Sequence, residues 1–258
     1  MSFLEGLVDF GKSAVEFLSG NTLASTIVKT VGLVLIARQL SSSAIKDNQT
    51  DPAANIDNGV RLQVAPAANN KVPVLYGAGY FGGIITDAVM TNTNKTMYYC
   101  LTLCEKTGTK LSDNQPSEFQ FKDVYWNDQR IVFNDDGITA NYTVDRSGTV
   151  DTSISNNVKV WCYKNGSNNP ATLENYTITN TSTAYTIMPN WTSSTHLMSD
   201  LAFAVVQVNY NRDKNITGIG DMLFHVENNM KLPGDCLYDY MTNTRYGAGI
   251  DPAEINSL

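Results

Sequence analysis

Apolar residues recur at helical spacing through the first 46 residues of the chain. They fall at positions i, i+3 and i+4, which places them on one face of a helix, in two runs separated by Ser19-Gly20-Asn21. These faces carry Phe3, Leu4, Leu7 and Val8 in the first run and Leu23, Ile27, Val31 and Leu35 in the second. The pattern predicts a helical hairpin over residues 1–46.

The second run of this hairpin is too interrupted to form a stable membrane span. Lys29 and Arg38 divide it, whereas a span needs about 20 mostly apolar residues. Two interpretations of the hairpin stay open, since it could pack on its own domain or dock on a partner. We favour docking slightly, because little neighbouring sequence could cover both apolar faces.

Residues 47–70 are typical of a linker. They are rich in Asp, Asn and Ala, and Pro52 and Pro66 break any regular element. One short strand is predicted within them, over residues 60–64, where apolar and polar residues alternate.

From Lys71 onward the alternation of apolar and polar residues is typical of β-strands. Residues 72–86 predict a strand, a glycine-rich bend and a second strand. Further strands are predicted over residues 97–104, 119–126, 129–133, 141–144, 158–163, 201–210 and 222–226. Short strands at this spacing favour a sandwich or barrel, so we predict a mainly β fold for residues 71–258 in a chain that is α+β overall.

Two parts of the β region are predicted to depart from this pattern. Residues 165–199 are rich in Asn, Thr and Ser with weak periodicity, which indicates an exposed insertion. Residues 232–258 predict a helix, a loop and the start of a second helix. In the first helix Pro233 suits the first position and Asn243 the end, and Cys236, Leu237, Tyr240 and Met241 share one face.

The loop after this helix contains Arg245 and Tyr246, followed by Gly247 and Gly249. Glycines permit a positive φ, so we expect the loop to present the arginine and the tyrosine rather than bury them. An ordinary helix-to-loop corner would explain the same residues equally well.

Composition narrows the class of partner. The hydrophobic fraction of 42% supports a packed interior, and the charged fraction of 17% is low. The net charge of −7 argues against sequence-specific nucleic-acid binding, which needs clustered Lys and Arg to contact phosphates.

No convergent catalytic or metal-binding set stands out in the sequence. Gly82-Gly83 lead into a β-branched strand and not into the Lys-Ser/Thr and helix of a phosphate loop. The cysteines lack the spacing of metal sites, the histidines are isolated, and carboxylates such as Asp135 and Asp136 lie in turns. The scattered groups are Cys100, Cys104, Cys162, Cys236, His196 and His225. We therefore predict buried free thiols, no enzyme activity, no cofactor and no metal.

Three segments of the β region carry a family resemblance. The first is Val72-Pro73-Val74-Leu75-Tyr76-Gly77, followed by Gly82-Gly83-Ile84-Ile85. The second is residues 201–208, followed by Phe224-His225-Val226-Glu227-Asn228-Asn229. The third and most specific is residues 236–249. These segments resemble the tip attachment protein J family, the central hub at the end of long-tailed bacteriophage tails. The third is similar to that family's Leu, aromatic, Asp and Arg-Tyr-Gly signature, with Thr244 where the family usually has proline.

The resemblance covers roughly residues 70–258 and implies a structural role in the virion tail, after assembly in the host cytoplasm. It implies a homotrimer that closes the tail tube and contacts tape-measure, distal tail and tip proteins. Such proteins usually continue well beyond the Arg-Tyr-Gly motif, so we expect another polypeptide to complete the hub. Receptor binding by this chain is correspondingly less expected. The motif residues expected to matter are Tyr76, Gly77, Gly82, Gly83, Leu237, Asp239, Arg245, Tyr246, Gly247 and Gly249.

A glycan-binding or glycan-cleaving tail module is the alternative function. Its basis is the Asn/Thr-rich insertion together with Trp126, Trp161 and Trp191. The alternation around Trp126 and Trp161 predicts core positions, whereas Trp191 is predicted to lie on a loop that could stack against sugars.

Overall fold

The computed structural model describes residue 63, residues 70–177 and residues 180–255. The predicted helical hairpin of residues 1–46 and its docking residues lie outside the described part, as does nearly all of the predicted linker and its strand. Within the linker, Gln63 donates a hydrogen bond of 2.9 Å from Nε2 to the backbone oxygen of Met222.

The described residues form two antiparallel sheets, which confirms the predicted mainly β fold. The strands are β1 (Ala78–Phe81), β2 (Ile84–Thr91), β3 (Thr96–Glu105), β4 (Phe119–Trp126), β5 (Gln129–Phe133), β6 (Ala140–Val144), β7 (Val150–Asp151), β8 (Val158–Tyr163), β9 (Pro170–Ala171), β10 (Leu201–Asn209) and β11 (Met222–Asn228). The six-stranded sheet has the order β1-β11-β4-β5-β6-β7, and the five-stranded sheet has the order β2-β3-β10-β8-β9.

The centre of the five-stranded sheet is the pair β3 and β10. Both strands are apolar almost throughout and buried on both faces. Val205 of β10 lies opposite Cys100 of β3 on one side and Trp161 of β8 on the other. Cys100, Cys104 and Cys162 are buried free thiols, as predicted, and Cys236 is half-buried.

The insertion of residues 165–199 is not simply exposed, and that prediction was wrong. Helix α1 (Ala184–Ile187) and the residues after it pack on the five-stranded sheet. Ala184, Met188 and Trp191 join Phe203 and Val205 of β10 in one buried cluster. The prediction failed because Asn, Thr and Ser dominate the composition of this stretch, and its few buried apolar residues do not stand out against that polar background.

The six-stranded sheet shows the alternation that the sequence predicts for β4, β5 and β11. Phe224 and Val226 are buried, while His225 between them is partly buried with 20% of its side chain exposed. Asn127 and Asp128 form the turn between β4 and β5, and both have positive φ, which suits the two-residue turns that follow the twist of the strands.

The segment of residues 72–86 differs from its prediction. Residues 72–76 contribute one isolated bridge, between Val74 and Glu105, and no strand. The sheet strands are β1 and β2, and Gly82-Gly83 carry the chain from the six-stranded sheet to the five-stranded sheet. Gly83 has φ of +80°, and a Cβ there would lie 2.9 Å from the Leu103 side chain, so this crossover requires glycine.

The chain ends in the predicted helix, loop and helix start. Helix α2 (Pro233–Thr242) has Pro at its first position and Asn243 at its C-cap, and helix α3 (Pro252–Ile255) follows the loop. Asp251 Oδ1 accepts a hydrogen bond of 2.9 Å from the Ala253 backbone N–H and so caps the start of α3.

Candidate functional site: the C-terminal helix and its carboxylates

Helix α2 lies on the β-domain with its polar face inward. Asp235 and Asp239, one helical turn apart, are each 4% exposed. Leu237 is 60% exposed and Tyr240 is 51% exposed, so the apolar stripe noted in the sequence points mainly to solvent. Buried carboxylates need hydrogen-bond partners, and the contacts of these two aspartates therefore define the site.

Asp239 accepts three hydrogen bonds from residues far apart in the chain. Its Oδ2 accepts from the hydroxyls of Tyr76, at 2.7 Å, and Tyr246, at 2.6 Å. Its Oδ1 accepts from the backbone N–H of Gly108, at 2.8 Å. Short bonds to an ionised acceptor are among the stronger hydrogen bonds in proteins, so this carboxylate holds three segments together.

Gly108 can approach Asp239 because it has no side chain. A Cβ at this position would lie 2.6 Å from Asp239 Oδ1, closer than real Cβ contacts. Any larger residue would push the carboxylate away from the backbone N–H that it accepts from.

Asp235 makes a second, similar contact with the loop between β3 and β4. Its Oδ1 accepts from the Ser112 backbone N–H at 2.8 Å, and its Oδ2 accepts from the Ser112 hydroxyl at 2.7 Å. Both carboxylates of the helix thus fasten to the same loop, at Gly108 and Ser112.

The two tyrosines stay protonated donors at neutral pH. Burial raises the pKa of Tyr76, and the hydrogen bond to the Asp239 carboxylate raises it further. The pKa of Tyr246 is raised for the same reasons in the same order. A phenolate beside a buried carboxylate would place two negative charges together, so ionisation of either tyrosine is disfavoured.

Arg245 adds an ion pair at the end of the central strands. Its Nε lies 2.9 Å from Oε2 of Glu105, the buried last residue of β3, and its Nη1 lies 3.6 Å from Oδ2 of Asp200. Burial raises the pKa of Glu105, and the positive charge of Arg245 opposes that shift. The arginine side chain is half-exposed, whereas Tyr246 turns inward to Asp239, so the prediction that the loop presents both was correct only for Arg245.

Gly247 is required by the way the loop folds back on α2. A Cβ there would overlap the carbonyl oxygen of Tyr240 and lie 2.9 Å from that of Asn243. The carbonyl of Tyr240 accepts from the Ala248 backbone N–H at 2.8 Å. Gly249 has φ of +65°, a conformation that glycine adopts without strain.

Gly77 connects the first segment of the motif to the strand before α2. Its φ is +74°, its N–H donates to the Met230 carbonyl at 3.0 Å, and its carbonyl accepts from the Asn228 N–H at 2.6 Å. The buried Asn228 side chain donates to the Leu75 carbonyl and to Thr107 Oγ1, at 2.6 and 2.7 Å. Gly77 is therefore part of the support of the site.

The structure brings together six of the residues singled out in the sequence and separates others. Tyr76, Gly77, Asp239, Arg245, Tyr246 and Gly247 lie in one connected set of contacts. Gly82 and Gly83 lie at the crossover between the sheets, and Leu237 faces outward.

The sequence reasoning missed Glu105, Gly108, Ser112, Asn228 and Asp235. The four-residue spacing of Asp235 and Asp239 could have indicated a shared polar face of α2. The loop before β4 carries no periodic signal that would have pointed to Gly108 or Ser112.

The tryptophans do not form a sugar-binding surface. Trp126 and Trp161 are buried, as predicted, and Trp191 is 9% exposed. Trp191 Nε1 donates to Asp87 Oδ2 at 2.6 Å, and its ring stacks on His196 with centroids 5.0 Å apart. The prediction that Trp191 lies exposed on a loop was wrong, and the glycan hypothesis loses the feature on which it rested.

Within the described residues, no three His, Cys, Asp or Glu side chains are arranged to hold a metal ion. No helix in this part of the chain has the length and hydropathy needed to cross a membrane.

No protein-family model matches the sequence, and the search of curated proteins found no match. Among solved structures, the chain is similar to a protein of the virion of a native gene transfer agent particle. The two are 14% identical with a TM-score of 0.33, over 83% of this chain and 38% of the other. The chain thus spans well under half of that protein, and a similarity of this extent assigns neither family nor function.

Proposed function

We propose that this chain is a non-enzymatic structural component of a phage tail tip or baseplate hub. It would close the tail tube as a homotrimer and contact tape-measure, distal tail and tip proteins in the virion tail, after assembly in the host cytoplasm. The proposal rests on the sequence resemblance together with the contacts at Asp239.

The observation that carries the proposal is the meeting of two motif segments at one carboxylate. Tyr76 and Asp239 are 163 residues apart in the chain and bonded at 2.7 Å, and Tyr246 bonds to the same oxygen. These residues belong to the segments that resemble the hub family. The motif residues therefore have a structural role, because their contacts hold helix α2 and the loop after it on the sheets.

The surroundings of the motif favour a structural role over catalysis. Both tyrosines are held as neutral hydrogen-bond donors, and Asp239 accepts three hydrogen bonds while only 4% exposed. A general acid or base must come within hydrogen-bond reach of a substrate, and burial keeps a substrate away from this carboxylate.

The location is tested by electron microscopy of purified phage particles from the genome that encodes this chain, labelled with gold-conjugated antibody to the chain. Gold at the tail tip is expected. Labelled capsids, or particles without label when denatured virions do react with the antibody, would refute the proposal.

The assembly state is tested by light scattering of the purified chain, alone and mixed with the other tail proteins. Three copies in the assembled complex are expected. A chain that stays a compact monomer in every mixture would count against a hub.

A matched pair of variants tests whether the outward face of α2 is used in assembly. Leu237→Ser changes an exposed residue of the motif helix, and Leu197→Ser changes an exposed leucine of the insertion. Neither should alter folding, because both side chains are solvated. We expect only Leu237→Ser to reduce incorporation of the chain into particles, measured by quantitative immunoblot of purified virions.

A further inference from the structure

Residues 232–250, which we call the C-terminal strap, are fastened to the sheets by hydrogen bonds and ion pairs. Asp239 bonds to Tyr76 and Gly108, Asp235 bonds to Ser112, and Arg245 pairs with Glu105. No apolar residue of the strap is among the buried hydrophobic side chains of the described chain.

The sheets are held together by the opposite kind of interaction. Five consecutive residues of β10, from Ala202 to Val206, are fully buried, and all of them are apolar. Apolar burial is the dominant favourable term in folding, and water cannot replace it. The hydrogen bonds of the strap are different, because water replaces the lost partner of each group when the strap leaves.

The strap also has its own internal connections. Ala248 N–H donates to the Tyr240 carbonyl at 2.8 Å, and Ile250 N–H donates to the Met241 carbonyl at 2.8 Å. The bond from Tyr246 to Asp239 likewise lies within the strap. The loop and the helix therefore belong to one unit. Among the described residues, the polar contacts that break when this unit separates from the sheets are those to Tyr76, Glu105, Gly108, Ser112, Asp200 and Met230.

We propose that the C-terminal strap undocks as a unit while both sheets stay folded. Local openings of this kind occur where few apolar contacts hold a segment. In the proposed hub, the opening would let the chain beyond Ile250 change direction when it meets its partner. The opening itself follows from the contacts and does not depend on the proposed function.

Two backbone amides report directly on undocking. The N–H of Gly108 donates to Asp239 and the N–H of Ser112 donates to Asp235, so both lose their acceptor when the strap leaves. Amides at the centre of β3 and β10 lose theirs only when the sheet unfolds.

The test is native-state hydrogen exchange of the full chain with single-amide resolution. We expect the Gly108 and Ser112 amides to be protected at least 100-fold less than central amides of β10, with little dependence on low concentrations of urea. Exchange at both places with the same protection and the same urea dependence would overturn the proposal.

Val205→Ala supplies the matched variant, because Val205 is buried in β10 and far from the strap in sequence. Removing core volume lowers the free energy of global unfolding. It destabilises the docked and undocked forms equally, so the free energy of undocking stays the same. We therefore expect protection in β10 to fall about tenfold or more, and protection at Gly108 and Ser112 to stay unchanged. An equal fall in amide protection in β10 and at Gly108 and Ser112 would show that the strap opens only by global unfolding.

If Val205→Ala fails to fold, the urea dependence of the wild-type chain decides the matter alone. A negative result in the virion-labelling experiment would refute the proposed tail location but would leave the exchange result unaffected. Each proposal can therefore be refuted without the other.

Discussion

The hydroxyl of Tyr246 donates a hydrogen bond of 2.6 Å to Asp239, seven residues before it in the chain. The same oxygen accepts from Tyr76 at the start of the β-domain. One carboxylate thus closes the loop of the motif on its own helix and fastens both to the sheets.

Removing the Asp239 carboxylate should lower stability. Asp239→Ala leaves two hydroxyls and the Gly108 amide without their acceptor, and we expect the free energy of unfolding to fall by about 2–4 kcal/mol. Urea unfolding followed by circular dichroism measures the change. Asp213→Ala, at an exposed turn, is the control and should change stability by less than about 0.5 kcal/mol. Equal effects of the two changes would mean that the contacts at Asp239 contribute no stability.

A methyl group at Gly247 should disrupt the loop after α2. Its Cβ would overlap the Tyr240 carbonyl oxygen, so we expect Gly247→Ala to cost about 1–3 kcal/mol. At Gly234, in the first turn of the same helix, a Cβ meets no atom within 4 Å. Gly234→Ala should therefore be neutral or slightly stabilising, since alanine favours helices. Thermal unfolding of the two variants side by side distinguishes a steric effect from a general sensitivity of this segment.

Stability should fall at alkaline pH partly through Tyr76 and Tyr246. Their pKa values are raised in the folded chain, first by burial and then by the bond to Asp239, whereas an exposed tyrosine ionises near pH ~10. Their contribution is fully present below about pH 10 and is lost as the pH rises above it, because only the unfolded chain then gains from ionisation.

The measurement for this alkaline effect is urea unfolding at about pH 9 and about pH 11. The double variant Tyr76→Phe and Tyr246→Phe should lose less stability between the two pH values than the wild type does. Tyr210→Phe changes an exposed tyrosine and should behave like the wild type. An identical alkaline loss in the double variant would show that these hydroxyls do not contribute.

Trp191 should be important for folding. Its ring belongs to the core cluster and its Nε1 donates to Asp87, so Trp191→Ala should cost about 3–5 kcal/mol. Leu197→Ala, at an exposed position of the same insertion, should change stability by less than about 0.5 kcal/mol. Chemical denaturation compares them. A stable Trp191→Ala variant that lost binding on a glycan array would restore the alternative function.

The strands were predictable because their apolar residues are dense and regular. β3 and β10 are near-continuous apolar runs, and β4, β5 and β11 alternate with a period of two. The turn between β4 and β5 uses Asn127 and Asp128, residue types that tolerate the positive φ found at both positions.

The insertion and the orientation of α2 could not be predicted in the same way. Trp191 finds its partner Asp87 across 104 residues, and no local pattern encodes such a contact. The apolar stripe of α2 predicts a helix but does not show which face is covered, because the buried face is filled by hydrogen-bonded aspartates. Sequence alone thus located the motif and missed the loop residues that receive it.

Arg245 connects the strap to the adjoining ends of the two central strands. It pairs with Glu105 at the end of β3, which lies opposite Leu201 at the start of β10, and with Asp200 just before that strand. If the strap undocks as proposed, a pull on residues 251–255 would break this ion pair and the two aspartate contacts before the backbone hydrogen bonds of the central strands. The strap would then yield first under tension, and the sheet would stay folded.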